Sequence, residues 1–306
     1  MAIPTSMAPL RIGRLGWMST YRIFLVHYGP NGGGATLHFL REPTTQECQK
    51  LRGFHPGESV TTKISLEENF CEMGDKRSYV QRLFGRIARI YDLMNFLMSL
   101  GLDRYWRARA ARYLALGTRE TALDLGTGTA DLAIAVIRRS SSGTRVIGMD
   151  ITPEMLEQAR IKIARLGLQD RIELRVGDAE HIDLPDNSVD GCCSAFTVRN
   201  LTDIKQGFRE MLRVVRPGGR VVCLEISHPP GKIFGALFYF YFYKLAPLFG
   251  TIIGNAFEEY NYLPNSLTAF PDAPRLKAIM KDAGWSDVRF YRLSRGIVAL
   301  HVGTKC

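Results

Sequence analysis

At 306 residues the chain has room for one large α/β domain with appendages, or for two small domains. With 46% apolar and 23% charged residues it is composed as a folded protein, and its formal net charge of +10 points to an anionic partner, nucleic acid or an acidic membrane surface. Cys48, Cys71, Cys192, Cys193, Cys223 and Cys306 form no C-x-x-C and no zinc-type spacing, so a disulfide scaffold and a metal site are not expected, and reduced cytosolic thiols are.

Residues 1–72 differ from the rest. Met1–Leu40 has no acidic residue, carries Arg11, Arg14 and Arg22, contains Gly-Pro-Asn-Gly-Gly-Gly from Gly29 to Gly34, and shows no lasting helix or strand period. Low acidity with arginine is a trait of organelle transit peptides, but serine is sparse and no amphipathic face is sustained. IFLVHY is too short for a secretory signal. Met73, followed by Gly-Asp-Lys-Arg and a strong helical pattern, reads as a plausible start. The favoured expectation is therefore a disordered or mis-called leader over 1–72, with a targeting segment or a genuine extra element as alternatives. The leader holds seven basic and six acidic residues, so the basic character belongs to 73–306.

From Tyr79 to Leu116 the pattern is helical. In RLFGRIARIYDLMNFLMSLGL apolar side chains recur at three- and four-residue spacing, while Arg82, Arg86 and Arg89 share another face. Such a helix presents a solvated basic side or rests on anionic lipid. Strand and helix signals then alternate: a buried strand TALDLG (Thr121–Gly126), a glycine loop, a helix from Asp131, the strand RVIGMD (Arg145–Asp150), and a helix opened by Pro153 and running to Leu166. Strands at Ile172–Val176 and Val189–Ser194, a helix Asp203–Val215, a tight turn Arg216-Pro217-Gly218-Gly219 and a strand Val221–Ile226 follow. The helix Asp272–Ala283 and the strands Val288–Leu293 and Ile297–Gly303 close the chain. This order predicts an α/β fold with a doubly wound, mostly parallel seven-stranded sheet, whose ligands bind beyond the carboxyl ends of the strands.

The loop Gly126-Thr127-Gly128-Thr129-Ala130-Asp131 allows a tight turn and close approach of a ligand. It lacks the third glycine of a dinucleotide fingerprint, which weakens a hydride-transfer reading. Asp150 ends the second strand of the sheet, where a carboxylate can accept both hydroxyls of a ribose. Asp178, in GDAE after the third, is placed to accept an adenine amine proton.

This constellation resembles class I S-adenosylmethionine-dependent methyltransferases, a Rossmann-like fold. Four further segments resemble one family within it, the quinone-biosynthesis C-methyltransferases that act on demethylmenaquinol and on its ubiquinone-pathway counterpart. They are YDLMNFLMSLGLDRYWR (Tyr91–Arg107), RNLTD (Arg199–Asp203), MLRVVRPGGRVVCLEISHP (Met211–Pro229) and the tail from Tyr260 to Lys305. The resemblance implies a domain over 73–306, with a helical cap (73–116), a cofactor-binding core (117–227), an aromatic substrate cap (228–270) and a C-terminal helix and strands (271–306). It implies S-adenosyl-L-methionine bound by Gly126, Gly128, Thr129, Asp150, Asp178 and Ala179. A family position that is often serine falls on Ala195, and Ser194 should face the other way.

Methylation at carbon needs an electron-rich ring, here a hydroquinone that loses a phenolic proton, and some group must stabilise the phenolate. Arg199 is too weak a base and is assigned to phenolate stabilisation or water orientation, with Asn200 beside it. Tyr91 is the second candidate to hydrogen-bond the diol. His228 is a weaker candidate base, and His181 and His301 read as structural.

FGALFYFYFYKLAPLFGTII (Phe234–Ile253) has the length of a membrane span. Lys244 and Pro247 interrupt it, and a span there would separate the sheet from its last strands. It reads instead as an aromatic cap over the acceptor pocket, with ordinary buried core as the alternative. The expected enzyme methylates demethylmenaquinol or the methoxy-benzoquinol, peripherally at the inner face of the membrane, or in the mitochondrial matrix if 1–72 is a transit peptide. A homodimer is compatible with it and nucleic acid is not expected. The rivals are a methyltransferase of sterols or phospholipid amines and, from another class, an NAD-dependent oxidoreductase.

Overall fold

The computed structural model describes residues 24–28, 35–38, 76–241, 262, 266–268 and 270–306, with the backbone alone at 24–28, 35–38, 232–234 and 237. The chain divides into two units, 1–75 and 76–306. In the first, β1 (Phe24–Tyr28) pairs antiparallel with β2 (Ala35–His38), Tyr28 opposite Ala35. Sequence periodicity showed no element there. Strands of five and four residues are too short for an alternation to register.

The second unit opens with three helices where the sequence reads as one helical stretch: α1 (Lys76–Ile87), α2 (Tyr91–Ser99) and α3 (Leu102–Leu114). Leu100 and Gly101 end α2 in left-handed conformations (φ 52° and 76°), and the Gly101 N–H donates to the Phe96 carbonyl at 2.8 Å. Val80, Leu83, Phe84, Ile87 and Met94 pack together with Met155 and Tyr262, so the three-to-four spacing becomes a small core of its own.

β3 (Thr121–Leu125), α4 (Asp131–Ile137), β4 (Arg145–Asp150), α5 (Pro153–Arg165), β5 (Ile172–Val176), β6 (Val189–Ala195), α6 (Ile204–Val214) and β7 (Val215–Ile226) follow. Then come α7 (Lys232–Phe240), α8 (Ala273–Asp282), β8 (Ser286–Leu293) and β9 (Val298–Thr304). The seven strands lie in the order β5-β4-β3-β6-β7-β9-β8, and β9 runs antiparallel to the other six. The chain winds outward from β3 to β5 and returns to place β6 on the other side of β3. The crevice between β3 and β6 is thus the switch point where such sheets bind ligands.

Alternate residues of the central strands feed opposite faces, as in β7, where Val222 and Leu224 pack under α3 and α4 while Val221 and Cys223 pack under α6 and α8. Phe208 of α6 is fully buried in the second layer; removing its ring from water contributes roughly 2–3 kcal/mol.

One expectation changes. β7 begins at Val215, directly after α6, instead of after a separate tight turn. Val189 faces Val215 and Gly191 faces Arg220, so residues 216–219 bulge out of register within the strand. Gly218 is left-handed there (φ 82°), and a Cβ on Gly219 would stand 2.4 Å from the Asp190 carbonyl oxygen.

Candidate active site

A cavity opens at the carboxyl ends of β3, β4 and β6. Its floor is the loop after β3. Gly126 is left-handed (φ 67°), and a Cβ there would meet Thr197 at 2.1 Å, so no other residue fits. Gly128 is also left-handed (φ 54°), but a Cβ there meets nothing within 4 Å, leaving the backbone open to a ligand.

Asp150 holds that loop in shape. Its Oδ2 accepts the Gly128 N–H at 2.8 Å and its Oδ1 the Thr152 N–H at 2.9 Å. Burial pushes its pKa up, and these backbone donors oppose the rise. The carboxylate is half-buried on the cavity wall, with lone pairs left for a ribose.

Thr129 lines the cavity but its hydroxyl is engaged: it donates to Asp92 of α2 and accepts from Lys162 Nζ at 3.1 Å. Lys162 also pairs with Asp92 and, at 2.7 Å, with Asp131. This network pins α2 to the glycine loop. Asp178 and Ala179 stand on the same wall beyond β5. The Asp178 carboxylate is shared among Arg77 Nη1 (2.8 Å), His181 Nδ1 (3.1 Å) and the Glu180 N–H (3.0 Å), so an adenine amine would join an existing set of donors.

Tyr91 and Asn200 also line the cavity: Tyr91 opens α2, its ring edge-on to Phe84 at 5.9 Å, and Asn200 ends the 3-10 turn Val198–Asn200, its Oδ1 accepting from Tyr262 Oη at 3.3 Å. Arg199 does not join them. The 3-10 turn after β6 carries its side chain behind the wall, where Nη1 donates to Glu225 Oε2 at 2.9 Å and to the Phe196 carbonyl at 2.6 Å. The two charged side chains are 3% and 1% exposed. Burial pushes the Glu225 pKa up, and the Arg199 guanidinium works against it. A phenolate in the cavity would therefore meet Asn200 and Tyr91 before Arg199. Ala195 lines the cavity, whereas Ser194 lies buried with its hydroxyl unpartnered.

His228 and His301 do not line the cavity. His228 Nε2 donates to the Phe270 carbonyl (3.1 Å) and Nδ1 accepts from Tyr239 Oη (2.8 Å). His301 is buried, which pushes its pKa down to about 4, and its Nε2 donates to the Ala273 carbonyl at 2.9 Å. No cluster of three or more His, Cys, Asp or Glu among the described residues could hold a metal ion.

Two cavity residues escaped the sequence reading. Asp124 sits within the apolar strand TALDL, accepting from Thr127 Oγ1 at 2.7 Å and the Ala133 N–H at 3.0 Å, and burial pushes its pKa up to about 6. Arg107 of α3 reaches the wall beside the Phe196 ring, 5.2 Å from its centroid. A carboxylate in the middle of a buried parallel strand was the available signal for the first.

Of the aromatic stretch, 242–253 lies outside the described residues. α7 covers only Lys232–Phe240, and Tyr241 Oη donates to the Met98 carbonyl at 2.9 Å. No described helix is long and apolar enough to cross a membrane.

The family model of the ubiE/COQ5 methyltransferase family matches residues 72–305. The chain belongs to that family. The ubiquinone/menaquinone biosynthesis C-methyltransferase UbiE of Geobacter sp. (strain M21) is 38% identical to it over 233 residues, 76% of this chain and 99% of that one. The demethylmenaquinone methyltransferase of Roseiflexus sp. (strain RS-1) is 41% identical over 231 residues, 75% of this chain and 94% of that one. Among solved structures, a SAM-dependent methyltransferase from Thermotoga maritima superposes with a TM-score of 0.53 at 18% identity, covering 74% of this chain and 99% of its own. The [4+2]-cyclase SpnF gives 0.56 at 14%, covering 75% and 96%. These two share the fold. This member of the ubiE/COQ5 family is a methyltransferase, and S-adenosylmethionine is its cofactor. The open Gly128 backbone and the Asp150 carboxylate at the cavity wall fit that ligand.

Proposed function

We propose that the enzyme methylates a ring carbon of demethylmenaquinol, a polyprenylated hydroquinone, with the methoxy-benzoquinol of ubiquinone biosynthesis as the second reading. The observation that carries it is that Tyr91 and Asn200, two neutral hydrogen-bonding groups suited to a diol, line the same cavity as the glycine loop. The relatives' names favour the same chemistry: those from Geobacter and Roseiflexus are named for quinone C-methylation and for demethylmenaquinone.

Asp150 takes the ribose, Gly126 and Gly128 let the loop approach, and Asp178 with Ala179 faces the adenine. Bound S-adenosylmethionine supplies an electrophilic methyl group on a sulfonium. Tyr91 and Asn200 hydrogen-bond the hydroquinone oxygens and favour the ionised ring, aligning the carbon in line with the methyl. Arg199 acts from behind: by gripping Glu225 and the Phe196 carbonyl it fixes the turn that presents Asn200. It is a positioning residue.

The acceptor enters from a membrane. At the corner between α2 and α3, Leu93, Phe96, Leu97, Leu102 and Tyr105 are exposed, and Leu100 is 83% exposed. Arg104 lies over the Phe96 ring at 5.1 Å, and Arg89 is exposed nearby in sequence. Apolar side chains flanked by arginines on a chain of net charge +10 suit an anionic bilayer, at the inner face of the membrane.

Transfer of labelled methyl from S-adenosylmethionine to chemically reduced demethylmenaquinone, beside the benzoquinol precursor, tests the acceptor. Labelled menaquinol is the expected product. Labelling of an amine, with neither quinol labelled, would overturn the proposal.

A further inference from the structure

Arg107 is a buried cation whose donors are mostly unused. Its side chain is 7% exposed, and its one hydrogen bond among the described residues runs from Nη1 to Asp103 Oδ2 at 2.6 Å, with Asp103 accepting from Ser99 Oγ at 2.9 Å. A guanidinium carries five N–H donors in a planar fork; no Arg107 nitrogen is among the buried unpartnered atoms, so its unused donors are open to the cavity that the side chain lines. Asp103 fixes one edge of the fork and the Phe196 face, 5.2 Å away, fixes its plane. The remaining edge belongs to the wall of the cavity that holds the glycine loop.

The position within the sheet identifies the group that completes it. Asp150 ends β4, on one side of β3, and Asp178 lies farther out, beyond β5. Phe196, against which Arg107 stacks, follows β6 on the other side of β3. A donor with its ribose on Asp150 and its adenine toward Asp178 therefore lays its amino-acid tail across the glycine loop toward Arg107. That tail ends in an ammonium and a carboxylate. Asp131, which lines the same cavity and is paired with Lys162, is the carboxylate placed for the ammonium, and the planar fork suits the carboxylate, which it can bind through two parallel hydrogen bonds. We infer that Arg107 is the binding residue for the α-carboxylate of the methyl donor, held ready by Asp103. The inference rests on the donor occupying this cavity, as proposed above.

The test is calorimetric binding of S-adenosylhomocysteine and of its decarboxylated analogue to the full chain and to Arg107→Met and Arg107→Lys. Because Arg107→Met leaves Asp103 buried without its partner, the same substitution is also made in an Asp103→Asn background and compared with Asp103→Asn alone. Loss of a charge-assisted hydrogen-bond pair predicts roughly 10- to 100-fold weaker binding of S-adenosylhomocysteine to the methionine variant. Binding of the decarboxylated analogue should be almost unchanged, and lysine should recover part of the loss. Equal weakening of both ligands would mark a structural role and overturn the assignment. Unchanged affinity for both, with loss of methyl transfer only, would move Arg107 to the acceptor phenolate and equally overturn it. If the unmodified chain binds neither ligand, the donor reading fails and the assignment falls with it.

Discussion

Arg199→Met would remove the cation of an ion pair whose side chains are 3% and 1% exposed and whose nitrogen and oxygen stand 2.9 Å apart. It leaves the Glu225 carboxylate inside β7 with only the backbone N–H groups of Arg199 and Ile226, each at 3.3 Å. Breaking a buried pair from one side costs about 3–5 kcal/mol. At roughly 2–4 °C per kcal/mol for a domain of this size, the melting temperature should fall by about 6–20 °C. Burial already holds the Glu225 pKa above its ordinary value, and loss of Arg199 raises it further. A carboxyl raised in the folded state favours folding while protonated and loses that contribution as pH rises through its folded pKa, so the deficit of the variant should be smaller near pH 5 than near pH 8. Replacing both partners, Arg199→Met with Glu225→Gln, should recover most of the loss. Urea titrations of the wild type, the single variant and the double variant at both pH values read this directly. A single variant within about 1 kcal/mol of wild type, or a double variant no more stable than the single, would refute the buried-pair reasoning. A double variant that is stable, binds S-adenosylhomocysteine normally and transfers the methyl group at the wild-type rate would refute the positioning role.

Asp150→Ala removes the acceptor of two backbone N–H groups and the proposed ribose contact, so S-adenosylhomocysteine affinity should fall at least roughly 100-fold by calorimetry; retained affinity would refute the ribose assignment. For Asp124 the folded pKa of about 6 exceeds the ordinary 3.8, so its contribution to stability is complete below the lower value and is lost as pH rises through the upper. Relative to wild type, Asp124→Asn should therefore gain up to about 3 kcal/mol in urea titrations between acid and neutral pH. A difference independent of pH would contradict that. Tyr91→Phe and Asn200→Ala should each lower turnover by about 10- to 100-fold while leaving S-adenosylhomocysteine affinity intact, and an equal loss of affinity would move them from acceptor to donor. Leu100→Glu should weaken flotation with anionic vesicles, and unchanged flotation would move the membrane contact elsewhere.

The sheet was legible because buried parallel strands appear as short apolar runs between amphipathic helices, and their order then leaves few topologies. The glycine loop and Asp150 were legible for a related reason: φ-permissive residues after a strand and an acid at the end of the next are local signals. Arg199 was not. Its neighbours in sequence belong to the cavity wall, but the 3-10 turn aims it toward a glutamate 26 residues away, a partner no local pattern reveals. Arg107 was hidden among the other arginines of α3, and only the packing of that helix against the sheet separates a buried guanidinium from its exposed neighbours. The bulge at 216–219 escaped because Pro-Gly-Gly marks a reversal equally well.

Cys192 and Cys193 of β6 and Cys223 of the adjacent β7 are fully buried in the sheet, Cys193 on the opposite face from the other two, and burial drives their thiol pKa values well above the ordinary range. An enzyme that handles hydroquinones works beside their oxidised forms, electrophiles that arylate thiolates. Keeping these sulfurs protonated and out of reach spares the strands that frame the catalytic crevice, and among the described cysteines only Cys306 at the end of the chain is left as a target.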